Sequence, residues 1–177
     1  MEAPTPASAL IHSSTLVVMG IFMIMRVAPI LRHAGSVLQV ALLVGALTVL
    51  YGAVFSTQTG DLKKAVAYST ISQVGYLYCG CGLLAFRETL IYLVVHALCK
   101  AMLFIFVGYI VHLFGGTTSI RKMGGVFYIV PDVALYVFIL CAVLAGAPYT
   151  VGFVAKELIV NHIMSVYTPI MCVVVSC

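Results

Sequence analysis

The sequence predicts an all-α transmembrane protein of five to six membrane helices, one of them broken. Three observations predict it. Of the 177 residues, 63% are hydrophobic and only 8% are charged, whereas a soluble domain carries roughly 25% charged residues. Mean hydropathy is +1.19. Sparse charges and turn residues cut the chain into apolar stretches of membrane-crossing length, and alternating apolar strands are absent. So few charges cannot cover the surface of a soluble core, and disorder needs the opposite balance. The formal net charge of +4 is scattered rather than gathered in a stripe. Membrane lipid is therefore an expected partner and nucleic acid is not.

The elements follow in order. Met1 to Pro6 has no cationic leader region and runs straight into the first span, from about Ala7 to Ile30, which Arg32 and His33 follow. This helix occupies a first unit, residues 1–33. The second unit, 34–177, holds helices at about 35–57, 65–86, 89–114 and 132–157, with a short or incomplete last helix to 177. Their limits are read from Gly60-Asp61, Lys63-Lys64, Arg87-Glu88, Gly115-Gly116 and Asp132. At 1.5 Å per residue each can cross a ~30 Å hydrocarbon layer. Beyond Leu158 two readings stand. Either the fifth helix continues through His162, and Thr168 to Cys177 reaches only about half a bilayer, or Ile159 to Cys177 forms one short span. Loops two and four carry Lys63, Lys64, Arg121 and Lys122, against Arg26, Arg32 and Arg87 on the other side, a weak bias of topology. Cys79 and Cys81, two apart, face different sides of a helix, so no metal site is expected.

The charges inside the spans carry the chemistry. Lys100 sits near the middle of the fourth span, where a lysine costs roughly 2.5–3.5 kcal/mol and needs a polar partner or a wet cavity. His96 lies one turn before it on the same face. Two cations so placed in a low dielectric repel, an arrangement suited to proton exchange. The plain alternative is a Lys–His pair that only bonds to a neighbouring helix. Gly146 and Pro148 break the fifth helix, and a break survives in a bilayer only where the freed backbone groups meet protein or water. Such breaks point to ion sites. Lys156 and Glu157 follow the proline by two turns, so Lys156 is either functional or a snorkelling interfacial lysine. His12, before Ser13-Ser14-Thr15, is a third candidate, against a histidine bonded within the bundle. Lys63 and Lys64 open the third span, and Tyr68, Ser69, Thr70, Ser72 and Gln73 continue a polar stripe into it. That stripe either lines a hydrated path or makes interhelical hydrogen bonds.

These residues coincide with a family. Pro4 to Thr15, Asp61 to Tyr76, His96 to Phe104 (HALCKAMLF), Ile120 to Gly125 (IRKMGG) and Gly152 to Glu157 resemble the antiporter-like subunits of respiratory complex I, NADH:ubiquinone oxidoreductase. The IRKMGG loop and the GF-x-x-K-[DE] ending favour the chain 5 branch. The resemblance covers nearly the whole chain.

The resemblance implies a proton-translocating membrane-arm subunit of that oxidoreductase, built from two inverted five-helix repeats, each with a broken helix and a buried lysine or glutamate. The chain resembles the last helix of the first repeat (1–33) plus the second-repeat half-channel (34–177). His12 then matches the histidine on the last helix of the first repeat. Lys63 or Lys64 opens the path, Lys100 is the central lysine with His96 beside it, and Lys156, with Glu157, is the exit lysine. No cofactor is expected on this chain; NADH, FMN, iron–sulfur clusters and ubiquinone are expected in partner subunits. Those partners would be other membrane-arm subunits, including the neighbouring antiporter-like one, and a complementary fragment carrying the first repeat. The expected location is the mitochondrial inner membrane, with a bacterial plasma membrane as the alternative. One departure stands out: the family commonly has a histidine where this chain has Tyr92, which can relay a hydrogen bond but does not titrate near neutral pH. A full family member also extends well beyond this stretch on both sides, so a split product or a truncation is expected. Two other functions remain open: a subunit of a multi-subunit cation/proton antiporter, and a structural fragment of the membrane arm that no longer pumps.

Overall fold

A computed structural model describes residues 5–13 and 15–166. Its helices are α1 (Thr5–Ser13), α2 (Leu16–Leu31), α3 (Gly35–Gln58), α4 (Leu62–Gly82), α5 (Phe86–Leu113), α6 (Val126–Ile129), α7 (Pro131–Ala145) and α8 (Val151–Val166). Three stretches are long and apolar enough to cross a membrane, Ala7–Leu31, Gly35–Gln58 and Phe86–Leu113. Helix α4 has 21 residues, about 31 Å of rise, but its polar stripe keeps it less apolar than these.

Several predicted boundaries shift, each for a physical reason. The third span starts at Leu62 rather than near residue 65, so Lys63 and Lys64 stand in the first turn of α4. That start is fixed from outside the helix. Leu62 N–H donates to the carbonyl of Thr118 (2.9 Å) and Ile120 N–H to that of Gly60 (2.9 Å), closing a small bridge between Asp61 and Ser119. The bridge also holds the second and fourth loops together on one side of the bundle. Helix α4 stops at Gly82, short of residue 86, and α5 begins at Phe86 rather than 89. Arg87 and Glu88 therefore lie in its first turn, where the acidic Glu88 complements the positive end of the helix dipole. The first span is not one continuous helix, because Thr15 leaves helical geometry (φ −104°, ψ −90°) between α1 and α2. Its hydroxyl donates back to the carbonyl of Leu10 at 3.1 Å. The fifth span divides at Gly146 into α7 and α8, and α8 runs through His162 to Val166. Residues 167–177, on which the short-last-span reading turns, lie outside the described residues.

Packing centres on α3 and α4. A methyl group added at Gly52 would stand 2.6 Å from the backbone nitrogen of Ser72, and one at Gly75 would stand 2.8 Å from the carbonyl oxygen of Gly45. Gly45 and Gly52 on α3 thus meet α4 backbone to backbone. Small residues at the contact are how helices associate in lipid, where the hydrophobic effect between them is weak. Around this pair two apolar clusters form. One holds Ile21, Leu77, Tyr92, Ile159 and Ile163; the other holds Ala9, Val66, Leu103, Phe104 and Leu144. The second lies beside Lys100.

Candidate proton path

The polar stripe of α4 divides by helix geometry into three faces. Tyr68 and Ser72 turn toward α3: Tyr68 stacks on Phe55 with ring centroids 5.8 Å apart, and Ser72 lies against Gly52. Thr70 turns toward His12, sharing a cavity of about 160 Å³ with it. Ser69 and Gln73, one turn apart, face α5 and α7. This third face carries the site.

Lys100 is 1% exposed, on α5. Its ammonium donates to the carbonyl of Val66 at 3.0 Å and to the hydroxyl of Ser69. A buried ammonium has three protons to satisfy, and these two partners hold it at one wall of a cavity of about 380 Å³. Ser56, Leu62, Ser69, Gln73 and Ala145 line that cavity. It extends toward the α3–α4 loop, since Ser56 and Leu62 flank that loop.

At the other end of the same cavity stands the helix break. Gly146 caps α7 in the left-handed region at φ +83°, which a side chain adopts only with strain. Pro148 has no N–H, so the carbonyl of Leu144, four residues earlier, has no helical donor. Gln73 supplies one, its Nε2 donating to Leu144 at 3.4 Å. The next carbonyl, that of Ala145, accepts from the Lys156 ammonium at 3.5 Å. Lys156 also sits over the ring of Tyr76, 4.7 Å from its centroid. A second cavity of about 270 Å³, lined by Tyr76, Ala145, Gly146, Lys156 and Glu157, lies on this side of the break. The two cavities share Ala145. Polar groups therefore lie between the two lysines: Ser69 beside Lys100, then Gln73 across the cavity, and the carbonyls of Leu144 and Ala145 beside Lys156.

On α5, Tyr92, His96 and Lys100 follow one another at helical spacing, each at most 1% exposed. The hydroxyl of Tyr92 donates to Oε1 of Gln73. His96 is fully buried, and neither ring nitrogen has a hydrogen-bond partner among the described residues. His12 stacks on Phe104, one turn beyond Lys100, with centroids 5.6 Å apart.

Not every sequence candidate joins this arrangement. Lys64 forms an exposed ion pair with Asp61 at 3.1 Å, and neither Lys63 nor Lys64 lines the Lys100 cavity. Tyr68 and Ser72 face α3 rather than this cavity, and the Thr70 hydroxyl donates to the carbonyl of Val66 at 2.9 Å. Glu157 lines the Lys156 cavity but is exposed. Sequence reasoning read Gln73 only as part of a stripe and did not single out Tyr76. The signal for Gln73 was present: a proline in a membrane helix orphans the carbonyl four residues before it and demands a donor from elsewhere.

Comparison with known proteins bears on all of this. The chain is 68% identical over its full 177 residues to the NADH-ubiquinone oxidoreductase chain 5 of Nyctotherus ovalis, covering 10% of that protein. It is 41% identical over 161 residues to chain 5 of Metridium senile, covering 91% of this chain and 27% of that one. The chain thus spans between a tenth and about a quarter of these relatives' lengths. A structure of the Mrp complex from Dietzia sp. DQ12-45-1b superposes with a TM-score of 0.88 at 25% identity, covering 97% of this chain and 33% of that one. The family model for the transmembrane part of NADH:quinone oxidoreductase and Mrp antiporter subunits matches residues 1–177, and the chain belongs to that family.

Proposed function

We propose that the chain is the part of a complex I antiporter-like subunit through which protons cross the mitochondrial inner membrane, driven by redox chemistry in partner subunits. The observation that carries this reading is the alignment of two lysine-lined cavities along one face of α4, one around the buried Lys100 and one around the half-buried Lys156, with Ala145 in the wall they share. Protons enter the vestibule beside Ser56 and Leu62 and reach Lys100 past Ser69. His96, buried one turn away with no hydrogen-bond partner among the described residues, exchanges a proton with Lys100. Lys156 receives the proton across the helix break and releases it on the opposite side, beside Glu157. His12, against Phe104, passes protons toward Lys100 from α1. Charge gained at one lysine acts on the next through a low-dielectric interior, so a neighbouring antiporter-like subunit that changes charge makes the transfer directional. The chain holds no cofactor in this reading; NADH, FMN, iron–sulfur clusters and ubiquinone belong to the partners.

The test is Lys100→Ala in the intact complex. It lowers the number of protons pumped per electron, while Lys122→Ala, in the loop after α5, leaves that ratio unchanged. An unchanged ratio in Lys100→Ala refutes the reading. A second reading, a subunit of a multi-subunit cation/proton antiporter, draws support from the likeness to the Mrp structure. Copurification decides between them, since flavin and iron–sulfur subunits accompany the chain only in the first. A third, a membrane-arm element that no longer pumps, draws support from Tyr92 in place of the family's histidine.

A further inference from the structure

Gln73 joins α4, α5 and α7 through polar atoms. Its Oε1 accepts from Tyr92 on α5, and its Nε2 donates to Leu144, the last carbonyl but one of α7. It is 9% exposed and lines the Lys100 cavity. Both bonds are dictated by chemistry at their far ends. Tyr92 is 1% exposed, so its hydroxyl needs an acceptor. Leu144 lacks a helical donor because Pro148 has no N–H. The next carbonyl along the chain, that of Ala145, is the one the Lys156 ammonium reaches. Whatever fixes Leu144 therefore fixes the oxygen that positions Lys156.

We propose that Gln73, clamped by Tyr92 at one end and holding the freed carbonyl of Leu144 at the other, is the positioning residue that sets the passage between the Lys100 and Lys156 cavities. The amide exchanges no proton itself. It holds the broken helix at a fixed distance from α4, so that Ala145 and the ammonium of Lys156 stand at the wall the two cavities share. Tyr92 has a function here that a neutral histidine at that position would share only as a donor to Oε1. The departure from the family pattern leaves the clamp intact while removing a titratable group.

This inference rests on the proton-path reading, and the test separates the two. In the intact complex, Gln73→Met keeps the side-chain length and removes both hydrogen bonds. The expected result is a fall in protons pumped per electron as deep as that of Lys100→Ala, with NADH oxidation retained. Tyr92→Phe, which deletes a single hydroxyl, gives the same comparison where Gln73→Met does not assemble. Infrared difference spectra between oxidised and NADH-reduced complex supply a readout that packing alone does not move. A tyrosine C–O band is expected, lost in Tyr92→Phe and shifted in Gln73→Met. If Lys100→Ala lowers the ratio while Gln73→Met and Tyr92→Phe leave ratio and spectrum unchanged, the clamp is refuted and the proton path stands. If Lys100→Ala itself leaves the ratio unchanged, both fall.

Discussion

Gly152→Ala tests the geometry of the helix break without removing any polar group. Gly152 lies in the first turn of α8, buried against the end of α7. A Cβ placed there would stand 1.9 Å from the carbonyl oxygen of Val143, whereas real Cβ atoms essentially never come within 3.0 Å of another heavy atom. The two helices must part by at least the difference, 3.0 minus 1.9, or 1.1 Å. The obstacle is backbone, so no side chain can swing aside. Leu144 and Ala145 follow Val143 directly, and their carbonyls are held at 3.4 Å by Gln73 and 3.5 Å by Lys156, already at the long end for hydrogen bonds. A parting of that size breaks the Lys156 bond, which spans α7 and α8, and any shift of α7 away from α4 breaks that of Gln73 as well. Strain from overpacking costs about 1–3 kcal/mol, and each lost bond adds about 1 kcal/mol. The intact complex should show a lower midpoint of thermal inactivation and a lower proton-to-electron ratio. A misplacement near 1 Å can slow a positioned transfer about 100-fold. The control is Gly124→Ala, where an added Cβ meets nothing within 4 Å. Indistinguishable behaviour of the two variants refutes the assignment of the break as the junction between cavities.

Four further outcomes follow from named contacts. Gly52→Ala pushes a methyl group to within 2.6 Å of the Ser72 backbone and should destabilise the α3–α4 pair by about 1–3 kcal/mol, read as reduced assembly on native gels. Lys64→Gln breaks only an exposed ion pair with Asp61; stability should change by less than about 1 kcal/mol and pumping not at all. Ser69→Ala removes one of two partners of the Lys100 ammonium and should slow proton transfer without altering assembly, read from pumping rates in reconstituted vesicles. Tyr76→Leu deletes the ring beneath Lys156; the cation–π contact contributes about 0.5–2 kcal/mol, so pumping weakens less than in Lys100→Ala.

What the sequence made legible is what lipid makes expensive. Lys100 declared itself because an ammonium in mid-span has few ways to be satisfied, and the structure supplies two of them, a carbonyl and a hydroxyl. The break after Ala145 declared itself because proline chemistry is local. Partners were not legible in the same way. Lys64 reads as a channel opening from its place before the polar stripe, while the Asp61 carboxylate that pairs with it lies three residues earlier in a loop whose geometry the sequence leaves open. The interruption at Thr15 carries no glycine or proline, only a hydroxyl that finds the carbonyl of Leu10, and a run of serine and threonine is equally at home in a continuous membrane helix. The glycine contacts between α3 and α4 needed the partner helix to become visible, since an isolated glycine reads only as a weak spot.

The same distinction explains why the two lysines stand out in the sequence and the polar contacts between their helices do not. Each lysine carries its own cost, paid within one helix and visible at one position. The connection depends on a deficit in one helix meeting a surplus in another. Pro148 leaves the carbonyl of Leu144 without a donor, and Gln73, 71 residues earlier, has one to give. A membrane interior offers no bulk water to absorb such mismatches, so an orphaned carbonyl and a spare amide are drawn together wherever the helices allow it. In this bundle that pairing falls at the wall between the two cavities, so the need for backbone satisfaction and the proposed route between the lysines meet at the same few atoms.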